Sequence, residues 1–456
     1  MKKVLASVVC AAAVVSMSAN CFATELMKRG SRGDEVKEVQ EMLISSGYLT
    51  EDGADGKFGP KTEQAVLAFQ QDNGLDATGI VGDGTVNALK ADKGSDVQPA
   101  EDADEAEGTE QQQGEEPAEE IDYAETFPSW NPDSATLDEL VTFVNACTDE
   151  ASPDYLEPAD RLATFDMDGT ILCEKAPIYV DYCLTMYRVL DDPTYDATEV
   201  ERDAMQQIRD YAYTYGEKFY PKTVTKSMMV ASAFAGMTPE EFREYVCDFA
   251  DTTDVVGFEG MTYGESFYRP MLEVIAYLKD NDFDVWIVSA CEREVTRALV
   301  ERYDIPLDHV IATDVPYVAS GKGDDETGDE YNMGQDETIL LGKPLGEECG
   351  KSNKAAAIMR EIGKHPVLAF GNSSGDYSML NFAESNPDHT GNGFFVVCDD
   401  TVREYGSDEK AAEYYAEVEK EGWTPISMAN DWKNIYGEGV KKTALPGAEK
   451  EADQAA

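Results

Sequence analysis

The chain has 456 residues, 91 of them acidic, 37 basic and only three histidine, for a net charge of -54. That charge excludes a nucleic-acid backbone or an anionic bilayer as partner, because both call for clustered Lys and Arg. His309, His365 and His389 form no H-x-x-x-H or H-x-x-E pattern, which excludes most histidine-based zinc hydrolases.

In chain order, Lys2 and Lys3 precede an apolar run, Val4 to Val15, which reads as a secretory signal over 1–23 cut after Ala23. Cys21 offers a lipoprotein alternative, although Asn20 fits poorly before it. No later stretch reaches the roughly 20 apolar residues of a membrane helix, so no span is expected in the mature protein.

Residues 25–90 predict a small all-α unit of three helices. Val36, Val39 and Leu43 share one helical face, with Gly47 as a stop. A second helix from Thr62 buries Ala65, Val66 and Phe69, and a third runs from Thr85 through Leu89. An internal echo joins Gly56-Lys57-Phe58-Gly59 and Thr62 with Gly79-Ile80-Val81-Gly82 and Thr85, each read as a tight turn followed by a capping Thr.

Residues 91–126 predict a disordered acidic linker. Between Ala91 and Glu125 there are 14 acids and one lysine, too little apolar surface to fold.

Residues 127–440 predict an α/β unit, a Rossmann-like parallel sheet. Apolar strands at Leu162–Phe165, Val285–Val288, His309–Ala312, Val367–Phe370 and Phe394–Val397 alternate with helical stretches. A mostly helical insertion after the first strand, about 173–265, predicts a cap over the strand ends. It contains the capping box Thr238-Pro239-Glu240-Glu241. A disordered tail is expected over 441–456. The seven cysteines beyond the signal are widely spaced without C-x-x-C, so they predict neither a disulfide framework nor a zinc site.

Ligands of open parallel sheets bind beyond the carboxyl ends of strands. Asp166-Met167-Asp168-Gly169-Thr170 leaves the first strand, and two carboxylates so close call for a cation beside them. Val288-Ser289-Ala290 brings a hydroxyl and backbone N–H groups at an expected helix start, which suits an anion. Lys354 opens a helix against its dipole, which a bound phosphate would explain; Lys351 competes for that role. Gly371-Asn372-Ser373-Ser374-Gly375-Asp376 adds an amide oxygen and a carboxylate, and oxygen ligands suit Mg²⁺.

Two resemblances follow. The stretch from Arg29-Gly30-Ser31-Arg32-Gly33-Asp34 through Asp55-Gly56-Lys57-Phe58-Gly59 to Gly79-Ile80-Val81-Gly82 resembles the peptidoglycan-binding domain family, which implies binding to the bacterial wall. The ordered set of four strand-end motifs resembles the haloacid dehalogenase superfamily, with a cap like that of its phosphoserine-phosphatase-like branch. Gly422-Trp423-Thr424 to Asn430-Asp431-Trp432 looks like the tail of bacterial phosphatases in that group, while Asn372 stands where Asp is common.

The resemblance implies a Mg²⁺-dependent phosphatase of a small phosphomonoester, secreted and held non-covalently on the wall. Asp166 would be the nucleophile and Asp168 the general acid and base. Ser289 and Lys354 would bind the phosphoryl group. Asp166, Asp168, Asn372 and Asp376 would hold the metal. Cap tyrosines (Tyr179, Tyr182, Tyr187, Tyr211, Tyr213, Tyr215, Tyr220) could box a quaternary amine, and Glu174 could bind an amine. The alternatives are a phosphotransferase on the same fold and a catalytically silent wall-binding scaffold. A peptidoglycan hydrolase is disfavoured because the Asp pair is too close to span a glycan groove.

Overall fold

The computed structural model describes residues 27–92 and 121–447, apart from 29–30, 32, 47, 50–53, 55, 59, 74–78, 175–176, 217–225, 324–326 and 344. The expected signal, most of the linker, the Gly47 stop and Tyr220 lie outside the described residues. The chain divides into two units, 1–116 and 117–456.

Among its described residues the first unit has three helices, Asp34–Ser45, Pro60–Asp72 and Asp83–Asp92. Val36, Val39, Leu43, Val66, Phe69 and Leu89 pack in its core. The internal echo is real in space, and it is fastened by two glutamines. Gln40 Nε2 donates to Lys57 O (2.8 Å) and Thr62 Oγ1 (3.0 Å), while its Oε1 accepts from Gly56 N (2.8 Å). Gln70 repeats the pattern on Ile80 O (2.9 Å), Thr85 Oγ1 (3.0 Å) and Gly79 N (2.9 Å). Gly56 and Gly79 take φ of 77° and 68°, a conformation glycine enters without strain. Thr62 and Thr85 therefore do not cap their helices as expected: both sit inside the first turn, and their hydroxyls face a glutamine.

Both glutamines are 1% exposed. Gln70→Ala strips the buried turn of its amide partner and is expected to destabilise this unit by about 1–3 kcal/mol. Calorimetry of the whole chain should show that loss in the transition of this unit, with that of the second unit unmoved.

The second unit starts earlier than the expected boundary at 126, because Asp122 accepts from Ala124 N and caps the helix Tyr123–Thr126. Its strands are β1 (Leu162–Phe165), β2 (Phe258–Glu259), β3 (Asp284–Glu292), β4 (Val310–Thr313), β5 (Tyr317–Ala319), β6 (Ile339–Leu341), β7 (Leu368–Gly371), β8 (Asn392–Val397), β9 (Thr424–Ser427) and β10 (Lys441–Lys442). Six form one sheet in the order β4-β3-β1-β7-β8-β9, every neighbouring pair parallel. This is the parallel α/β sheet expected from the alternation of apolar runs and helices. β9 was not foreseen; Pro425 within it lacks an N–H, which an edge strand tolerates.

Phe165, Phe370 and Phe394 lie on β1, β7 and β8 and stack across the sheet, with centroids 4.2 and 5.2 Å apart. Each is fully buried, worth about 1.5–3 kcal/mol apiece. Their alignment fixes the register Phe165↔Phe370, so the residues that leave β1 and β7 emerge side by side.

The cap comprises Val180–Met186, Glu199–Tyr215, Lys226–Phe234 and Pro239–Thr252. The expected capping box forms, with Thr238 accepting from Glu241 N and Pro239 in the first turn. The cap is tied to the body of the unit by Glu294, whose buried carboxylate accepts from Arg243 on the cap, from Arg297 (2.6 Å) and from Tyr317 (2.5 Å). The tail is not disordered from 441 as expected: β10 pairs antiparallel with β2, and Leu445 is buried.

Candidate active site

Asp166 follows β1 directly, and its backbone N–H donates to Phe370 O at 2.9 Å. The chain then turns at Gly169, φ 87°, where a Cβ would lie 1.9 Å from Asn372 Nδ2. Only glycine fits there, so the second half of Asp-x-Asp-Gly-Thr is set by the approach of the β7 loop. Thr170 Oγ1 donates to Asp166 Oδ2 at 3.3 Å.

After β7, Asp376 folds back on its own loop. Its Oδ2 accepts from Asn372 N and Ser373 N, both at 3.0 Å. A Cβ on Gly371 would meet the Asp376 Cβ at 2.4 Å, so this glycine too is dictated by contact.

Lys354 joins the two motifs. It lies in the first turn of Ser352–Glu361, 1% exposed, and its Nζ donates to Asp166 Oδ1 (2.5 Å), Asp376 Oδ1 (2.8 Å) and Val288 O (2.5 Å). Burial alone would lower the ammonium, but Asp166 and Asp376 outweigh burial and hold it above the ordinary lysine range. For Asp166 the balance runs the other way: burial and then the Asp376 carboxylate push it well above the usual carboxylate range, against Lys354. Lys351 is exposed and caps the same helix at φ 54°, its N–H on Gly375 O at 2.7 Å. Lys354 is thus the lysine at the carboxylates, and Lys351 stands on the rim.

A cavity of about 830 Å³ opens over this group, lined by Asp166, Asp168, Lys354 and Asp376, and by Glu174 and Tyr179 from the cap side. Two expected members are placed differently. Ser289 does not begin a helix: β3 runs on to Glu292, and it is Glu292 that caps Arg293–Val300. Ser289 is fully buried, its Oγ accepting from Cys291 N at 3.1 Å, and it is Ala290 and Cys291 that reach the cavity wall. Asn372 lines an adjoining cavity instead, its Nδ2 donating to Glu174 Oε2 at 3.4 Å.

The tyrosine box does not assemble among the described residues. Tyr179 alone of the named set lines the main cavity. Tyr182 is buried, Tyr187 packs on Tyr245 and Phe249, and Tyr211 packs on Tyr215. Lys410 and Tyr414, on the helix Asp408–Glu421, also line the cavity. Sequence reasoning passed over them, since a lone lysine and tyrosine on a polar helix carry no signal.

The donors suit an oxygen-seeking dication in part. Asn372 Oδ1 is buried without a hydrogen-bond partner beside two carboxylates, the environment such a cation would satisfy. Among the described residues no three His, Cys, Asp or Glu side chains already converge as a ligand set.

Comparison with known proteins gives two family matches: haloacid dehalogenase-like hydrolase over residues 163–381, and peptidoglycan binding domain over residues 32–89. The N-acetylmuramoyl-L-alanine amidase CwlL of Bacillus licheniformis is 42% identical over 67 residues, 14% of this chain and 19% of the relative. A second protein of that organism with the same enzyme name is 39% identical over 71 residues, 15% of this chain and 20% of the relative. The chain therefore spans about a fifth of each amidase. A conserved protein of unknown function from Anaerococcus prevotii DSM 20548 is similar in structure, at 14% identity and a TM-score of 0.43, over 69% of this chain and 98% of its own.

Proposed function

Given that residues 163–381 form a haloacid dehalogenase-like hydrolase domain and residues 32–89 a peptidoglycan binding domain, we propose that the protein is a wall-associated phosphatase of a small phosphomonoester. The observation that carries this reading is the buried Lys354 clamped between Asp166 and Asp376 at adjacent strand ends, beneath a cap. A general structural ion pair has no need of a cavity, whereas a phosphoryl group entering here would meet a nucleophile, a fixed cation and a second acid together.

Asp166 Oδ attacks phosphorus in line, forming an O–P bond as the ester O–P bond breaks. The proton of Asp168 passes to the leaving alcohol oxygen. Water then adds to the same phosphorus, Asp168 takes back a proton, and the Asp166 O–P bond breaks. Lys354 neutralises the transferring oxygens. Ser289, through Cys291 N, holds the Ala290–Cys291 stretch against them. Mg²⁺, held by Asp166, the Asp168 backbone carbonyl, Asp376 and Asn372, would neutralise charge and lower the raised Asp166 carboxyl. The signal expected over 1–23 from the sequence, together with the binding domain, favours a secreted protein retained on peptidoglycan.

The test is p-nitrophenyl phosphate hydrolysis by the whole chain. Turnover is expected with Mg²⁺ and loss to background with EDTA, restored by excess Mg²⁺. A folded protein that hydrolyses nothing with Mg²⁺ present overturns the phosphatase reading in favour of a silent wall-binding scaffold.

A further inference from the structure

The segment after Val440 is a strap. β10 pairs with β2, Thr443 N donates to Gly257 O (2.8 Å), and Gly447 N donates to Tyr213 O on the cap helix (2.8 Å). Lys442 Nζ donates to Thr401 O (2.9 Å) and Glu404 O (2.7 Å), and the Tyr405 hydroxyl stands 2.5 Å from Thr443 O. The strap thereby joins the cap helix Glu199–Tyr215, the returning end of the cap at β2 and the loop after β8.

Its one large apolar side chain is seated with care. Leu445 is 7% exposed and fits where Gly216 and Gly257 have no side chain: a Cβ on either would lie 3.1 Å from a Leu445 methyl. Both glycines have positive φ, 63° and 96°. On its other side Leu445 forms a wall of a cavity of about 350 Å³, together with Asn372, Tyr215 and Tyr405. That cavity shares Glu174, Lys410 and Tyr414 with the catalytic one. Tyr215, Tyr405, Ala411 and Leu445 give it an aromatic and aliphatic wall beside the polar Asn372 and Ser407, with Glu174 and Lys410 where the two cavities meet. This is the mixture of a site that takes an apolar body by shape and orients it with a few polar groups.

We propose that this second cavity receives the leaving alcohol, that the alcohol carries a ring-sized apolar body, and that Leu445 sets its permitted size. The proposal rests on the phosphatase reading. Here a specificity wall comes from the far C-terminal side of the domain and not from the cap.

The experiment compares kcat/KM of the whole chain for glycerol 2-phosphate, p-nitrophenyl phosphate and 1-naphthyl phosphate, in wild type, Leu445→Trp and Leu445→Ala. Leu445→Trp fills the cavity and should lower the naphthyl-to-glycerol ratio by about tenfold or more, within the range of a pocket altered by a few carbons. Leu445→Ala should raise that ratio and lower KM for the naphthyl ester more than it changes kcat. If Leu445→Trp does not fold, the opposite shift in Leu445→Ala carries the test alone. A ratio unchanged in folded, active variants overturns the proposal and leaves the phosphatase intact. A wild type that cleaves none of the three esters overturns the phosphatase reading first, and this proposal with it.

Discussion

Asp166→Asn is expected to abolish p-nitrophenyl phosphate turnover, by on the order of 10⁴-fold or more, because an amide cannot take over the covalent step. The same change should leave thermal stability almost unmoved. Asp166 is buried, and burial and Asp376 both oppose its charge. An amide of the same shape keeps an oxygen for Lys354 while Asp376 continues to pair with that lysine. Circular-dichroism melting beside phosphate release separates the two effects. Turnover within tenfold of wild type would remove Asp166 from the chemistry; a collapsed fold would mark it as structural.

Lys354→Met gives the opposite pattern, in which both readouts fall. Its side chain is as buried as any in the core, yet it pairs two carboxylates and a carbonyl. Removing one partner of a buried ion pair costs about 3–5 kcal/mol, because the remaining charges stay unpaired. Here two acids, Asp166 and Asp376, would face each other directly. The melting temperature should therefore drop by several degrees. Catalysis should fall by about 10²–10³-fold at a temperature where the variant is still folded, the usual loss for one fixed electrostatic contact. Mg²⁺ should recover more of the melting temperature in this variant than in wild type, since a dication can replace the missing positive charge. A stable variant with normal turnover would show that Lys354 serves neither role; Lys351→Met, on the rim, is the matched control.

The candidate site was largely legible in the sequence because the strands of the second unit end in charged and polar side chains. Asp166, Asp168 and Asp376 each follow an apolar strand within a few residues, so locating the strand located the residue, whereas Lys354 follows no strand and stood out only as a cation at a helix start. Ser289 failed for the same reason in reverse. The apolar run stops at Val288, but β3 continues through Ser289, Ala290 and Cys291 to Glu292, so the residue that caps the next helix is Glu292 and not Ser289. β9 was hidden by Pro425. β2 and β10 are two residues each, and a Lys-Lys strand has no apolar period to detect. Gln40 and Gln70 carry no signal of their own in the sequence; only their distance from the glycine turns shows what they bind. Lys410 and Tyr414 reach the site by tertiary packing alone.

The strap also sets an order of assembly. A chain made from its amino end delivers β1, the cap and the sheet before residues 441–447 emerge, so the wall at Leu445 is placed after all of them. Every pairing within the main sheet can form without it. Trimming by a protease between Val440 and Leu445 would therefore spare the sheet and its acids while removing one side of the second cavity. On the proposed reading, such a nick would change which esters are accepted and not act as an off-switch.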